Sequence, residues 1–270
     1  MLFERSYQFL GGSTSGGPRQ KKGLARVWEL IMDNTARFLV SNLICLICML
    51  PCALGIAYAL SENSPILLAL AGLVGGMLFG PSYAALSDGV LLAVRDLPGE
   101  WWRKYLRAWQ VNWKDSLVPG GILGCLVAVL TYEFCTIKFE QRLPTSMYVC
   151  ALVAVVVLLA FFTYLWPQLV YADLKLHQML NNCMMLLLAH PLVSVTATLV
   201  QAAYWGLLLW FFPFTAILIP LTGVWLPNLL GLMIVYNQLN QDFKIEERQL
   251  GGAARQPETD DAAPEEDDID

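Results

Sequence analysis

The chain has 270 residues, of which 57% are hydrophobic and only 14% charged, with a mean hydropathy of +0.53 and a formal net charge of −5. An average soluble protein carries roughly 25% charged residues, so most of this chain is built for a solvent other than water. That composition excludes a soluble globular domain, a disulfide-stapled scaffold, a disordered chain and a nucleic-acid binder.

In chain order, residues 1–23 read as a flexible N-terminal segment, Gly/Ser-rich over 11–23 and without the apolar run of a cleaved leader, so the first span is expected to act as its own insertion signal. Residues 24–250 read as a membrane domain. A hydrocarbon core of ~30 Å needs about 20 apolar residues at 1.5 Å each, and residues 38–60, 65–86, 117–134, 147–167, 192–212 and 214–236 meet that requirement. Pro213 separates the last two, because two such runs together exceed the bilayer and proline breaks a helix. Before the first, third and fifth spans, residues recur at the spacing of an amphipathic helix: Val27, Leu30, Ile31, Asn34 and Phe38; Trp102, Tyr105, Leu106, Trp109 and Trp113; Leu174, His177, Met179 and Leu180. The expected fold is all-α, a polytopic membrane protein of six transmembrane helices in three hairpins with amphipathic cytoplasmic helices. Residues 251–270 close the chain as a disordered acidic tail, either a docking segment or a solvated end. Residues 258–270 hold eight acids and no base, so the preceding 257 residues carry 17 basic against 14 acidic groups.

Orientation follows from lysine and arginine. Fifteen of the 17 lie before span one, between spans two and three, between spans four and five, or after span six; only Lys138 and Arg142 lie on the opposite side. The positive-inside rule then puts both termini in the cytoplasm and the protein in the cell membrane.

Within the spans, Gly72, Gly76, Gly80 and Ala84 recur every four residues, with Asp88 next in the row, and Gly120, Gly124 and Ala128 repeat the spacing in span three. Small residues on one helix face let a second backbone approach, so spans two and three are expected to pack through these grooves; the sharper alternative is a conduit lined by bare backbone. Asp88 is either a buried carboxylate for proton or cation coupling or an interfacial acid paired with a cytoplasmic base. Gln201 and Asn228 are expected to face a polar pathway, and Pro220 and Pro227, seven apart in span six, either kink it or free carbonyls for a site. The segment with Trp102, Trp109, Trp113, Arg103, Lys104 and Arg107 reads either as an interfacial helix or as a surface that a partner grips. Cys45, Cys48 and Cys52 share a face of span one but offer no metal site, Cys135 and Cys150 flank an outer loop where pairing stays open, and no nucleophile elbow, Walker loop or H-E-x-x-H is present. No catalytic residue, cofactor or metal is expected.

Asn42-Leu43-Ile44 through Leu50-Pro51, Gly80-Pro81-Ser82-Tyr83-Ala84-Ala85-Leu86, and the run Trp101–Trp113 ending Asn112-Trp113-Lys114-Asp115-Ser116-Leu117 resemble the YesL-like family of bacterial integral membrane proteins. The resemblance covers about residues 30–245. It implies a multi-pass membrane protein linked to carbohydrate uptake or utilisation, and supplies no catalytic residues. The functional expectation is a non-catalytic accessory or scaffold subunit that meets the bilayer, permease or other membrane subunits, or a second copy of itself. The alternative is a small secondary transporter for a sugar or related solute. Sparse intramembrane charge favours the first, since ion-coupled transporters usually keep a buried carboxylate or a discontinuous helix.

Overall fold

The computed structural model describes residues 24–95, 100–140, 145–171, 174–211 and 213–243. The N-terminal segment 1–23, the acidic tail 251–270, and Arg142, Lys244 and Arg248 lie outside the described residues. Lys21–Tyr236 form one compact unit; the second comprises Met1–Gln20 and Asn237–Asp270, within which the described residues end the last helix.

Every element among the described residues is helical: α1 (Leu24–Ser61), α2 (Pro65–Val94), α3 (Trp101–Glu140), α4 (Thr145–Tyr171), α5 (Leu176–Ala189), α6 (Pro191–Trp210), a 3₁₀ turn (Phe214–Ile217), α7 (Leu218–Thr222) and α8 (Trp225–Phe243). Among the described residues five helices are long and apolar enough to cross a bilayer, and the pair Phe214–Thr222 and Trp225–Gln241, bent by 60°, is either a broken sixth span or a re-entrant loop. The chain is a multi-pass membrane protein. Its exterior carries large apolar side chains, Leu54, Ile66 and Leu192 among them, as a lipid-facing surface requires.

The amphipathic segments ahead of spans one and three are continuous with them. Neither 24–50 nor 101–118 contains glycine or proline, so nothing interrupts the backbone ladder. At 1.5 Å per residue the 40-residue α3 is about 60 Å long, twice the hydrocarbon thickness, so its tryptophan-rich half rises out of the span instead of lying flat as a separate helix. Before span five the helix is separate. His190 adopts φ −125° and ψ 59° ahead of Pro191, which disfavours a helical predecessor, and α6 starts afresh.

The tightest packing joins α2 to α3. A Cβ on Gly76 would strike the Gly120 carbonyl oxygen and lie 2.8 Å from the Gly124 Cα; one on Gly72 would lie 2.7 Å from the Gly124 carbonyl oxygen; one on Gly80 would strike the Ser116 carbonyl oxygen. Backbone thus meets backbone along the row, and dispersion holds the pair where lipid gives no hydrophobic drive. The other face of α2 does the same with α1, where Gly75 lies against Cys52. The α1–α2 hairpin turns at Asn63 (φ 51°), and Ser64 caps α2 by accepting from the Leu67 N–H, with Pro65 at the first helical position. α4 and α6 are tied by a 2.9 Å hydrogen bond between the Tyr164 and Ser194 hydroxyls.

Candidate functional site: a cavity beside a broken helix

The last apolar stretch breaks between α7 and α8. In a low-dielectric medium every freed backbone group needs a partner, and one side chain supplies most of them. Asn42 of α1, fully buried, donates through Nδ2 to the carbonyls of Ile219 (3.1 Å) and Pro220 (2.8 Å), while its Oδ1 accepts from the Val224 N–H (2.8 Å) and the Trp225 N–H (3.3 Å). The amide orientation is dictated by its surroundings, two acceptors on one side and two donors on the other. The Leu221 carbonyl accepts from the Trp225 indole at 2.7 Å and the Leu218 carbonyl from Thr222 Oγ1 at 3.0 Å. Pro227 falls in the first turn of α8, where a missing N–H leaves no gap in the ladder. Phe38 stacks on Trp225 at 4.9 Å and steadies the junction.

Beside this break lies a cavity of about 290 Å³ between α1, α2, α3, α4, α6 and the start of α8. Its wall is largely aliphatic and aromatic. Tyr83 and Trp166 meet edge to face at 4.8 Å, flanked by Phe79 and Phe162. Gln201 and Asn228, which the sequence singles out as facing a pathway, both line it. Gln201 Nε2 donates to Thr163 Oγ1 at 2.7 Å, and the Thr163 hydroxyl donates in turn to the Leu159 carbonyl at 2.6 Å. Gly231 makes room for this amide, since a Cβ there would strike Gln201 Nε2. Asn228 Nδ2 donates to Ser87 Oγ at 3.0 Å. Gln201 Oε1 and Asn228 Oδ1 accept no hydrogen bond from any described residue.

Asp88 does not line this cavity. It is 7% exposed and faces a separate pocket of about 20 Å³, with Asn34 and Arg37 of α1 and Trp101, Lys104 and Tyr105 of α3. That volume has room for one water molecule. Asp88 Oδ1 has no hydrogen-bond partner, while Lys104 and Arg95 act on it electrostatically. The carboxylate thus sits among cations where α1, α2 and α3 converge, one residue from the Ser87 that holds Asn228.

On α3 the buried face is Tyr105, Ala108, Asn112 and Ser116, whereas Trp102 and Trp113 are exposed, at 48% and 43%, and Trp109 packs partly against Tyr105. Arg103 pairs with Glu100 at 2.8 Å on the surface, Arg107 is exposed, and Lys104 turns toward Asp88. The cation row is therefore divided between an outer face and an inner pocket. Ala84 is fully buried, continuing the glycine row toward Asp88. Cys135 and Cys150 are free thiols, and the described residues contain no group of three or more His, Cys, Asp or Glu that could hold a metal.

Tyr83, Thr163 and Trp166 gain importance only from the structure, and Asn42, one of the few amides in the apolar runs, gains its partners there. An asparagine in an apolar span opposite two prolines in another was the one available signal for the Asn42 clamp. Comparison with protein families, characterised proteins and solved structures finds no match. Function has to be read from the chemistry of the site.

Proposed function

We propose that this protein binds a small solute in the cavity beside the broken helix and passes it across the cell membrane, with both termini cytoplasmic and no catalytic step. The observation that carries the reading is the cavity itself, bordered by an interrupted span and supplied with two unengaged amide oxygens. Interrupted helices concentrate backbone and side-chain polarity at mid-membrane, where transporters place their solute sites. The sparse charge that favours an accessory role in the sequence is offset by a discontinuous helix and a buried carboxylate. The test is solute uptake by proteoliposomes of the full chain, with Leu159→Trp as the variant that fills the cavity. Protein-dependent uptake lost in Leu159→Trp supports the reading; no uptake by either protein contradicts it.

An accessory or scaffold role, the reading that goes with the YesL-like resemblance, draws on the exposed face of Trp102, Leu106 and Trp113. In that case affinity purification recovers stoichiometric permease subunits, and a Trp102→Ala/Trp109→Ala double variant loses them.

A further inference from the structure

We infer that the cavity selects a small amine with an apolar aromatic body and rejects sugars and anions; this rests on the solute-binding reading above and adds the class of ligand. At about 290 Å³ the site is at the small end of ligand cavities, room for one small molecule. Among the described residues no Asp, Glu, Lys, Arg or His lines it. An anion would therefore leave water without a countercharge and face amide oxygens and electron-rich ring faces that repel it, whereas the same groups attract a cation. A sugar presents a hydroxyl on nearly every carbon, and each needs a partner once desolvated. The wall offers few, and one N–H of each amide is already engaged: Gln201 Nε2 on Thr163, Asn228 Nδ2 on Ser87.

The two amide oxygens are complementary to a donor. Gln201 is 93% buried by its 7% exposure, and its Oε1 and the Asn228 Oδ1 are acceptors with no described partner. An ammonium or amine group donates to such oxygens, and its apolar body meets the rings of Tyr83 and Trp166, whose faces also attract a cation. Gly231 holds this geometry by leaving space for the Gln201 amide.

The experiment measures equilibrium binding to the full chain in lipid nanodiscs, with empty nanodiscs subtracted, using 2-phenylethylamine, its donor-free analogue propylbenzene, and glucose. The amine is expected to bind saturably and about ten-fold tighter than propylbenzene, with glucose in large excess failing to displace it. In a Gln201→Leu/Asn228→Leu double variant the preference for the amine disappears while propylbenzene still binds, which separates lost recognition from lost folding; Leu159→Trp removes both. If glucose displaces the amine, or the amine and propylbenzene bind equally to the parent protein, the inference is overturned and the solute cavity stands. If no probe binds saturably and Leu159→Trp matches the parent, both are overturned.

Discussion

Asn42 illustrates how much one side chain does when water is absent. Its four hydrogen bonds occupy every donor and acceptor of its amide, and they satisfy groups that a broken helix would otherwise leave bare. Asn42→Leu keeps the volume and removes all four, so at ~0.6–1 kcal/mol per intramembrane hydrogen bond it is expected to cost about 2–4 kcal/mol, read as a lower midpoint of thermal unfolding in detergent. Asn42→Asp loses both donations to Ile219 and Pro220, so it is expected to destabilise as well; a wild-type midpoint for either variant would remove Asn42 from its role. At Cys183, buried in α5, desolvation pushes the thiol up to about 12, opposed by the 3.4 Å hydrogen bond from Gln168 Nε2. A raised thiol pKa means the reactive thiolate is scarce throughout the neutral range and forms only as pH approaches that value. Cys183 is therefore expected to stay unmodified by maleimide at pH 7–8 while the exposed Cys150 reacts, as peptide mass spectrometry would show. Asp88→Asn is expected to alter stability and to leave solute binding intact, because Asp88 faces the small pocket and not the cavity; loss of binding would place the carboxylate on the solute's path.

At the scale of elements, the α2–α3 contact is the clearest case of sequence and structure speaking the same language. Glycines spaced by four on both helices define two bare stripes, and the stripes face each other with carbonyl oxygens where side chains would be. Gly76→Ala has no flexible neighbour to push aside, so it is expected to cost about 1–3 kcal/mol from overpacking. Gly206→Ala on α6 meets nothing within 4 Å, and is expected to be neutral or stabilising by up to about 1 kcal/mol; comparing the two unfolding midpoints checks the assignment. The helix break was less legible. Pro220 and Pro227 announce trouble in span six, but a proline pair predicts a kink and a break equally well. The choice depends on a partner that can accept the freed groups, and that partner, Asn42, is 177 residues away from Ile219 in the chain. The continuity of α1 and α3 was hidden for a different reason. Amphipathic and apolar stretches look like separate elements because their composition changes, whereas a helix ends where the backbone is forced to break.

At the scale of the molecule, composition alone made the membrane legible, since 57% hydrophobic residues leave no soluble alternative. The cavity was not legible in that way, because its wall is assembled from six helical segments whose members look like ordinary span residues. Gln201 and Asn228 stood out only because amides are scarce in apolar runs; Tyr83 and Trp166 did not stand out at all. The lysine and arginine distribution predicts that reporter fusions at both ends report the cytoplasm, and an external signal from either end would reverse the topology. The central claim is that a solute reaches the cavity beside the broken helix. It is tested most directly by the access of a small water-soluble methanethiosulfonate to Gln201→Cys in liposomes, with Leu199→Cys on the exposed apolar face of α6 as the comparison. Modification is expected at position 201 and protection at 199, read by mass spectrometry of the α6 peptide; protection at 201, or equal rates at both positions, would contradict solute access to the cavity.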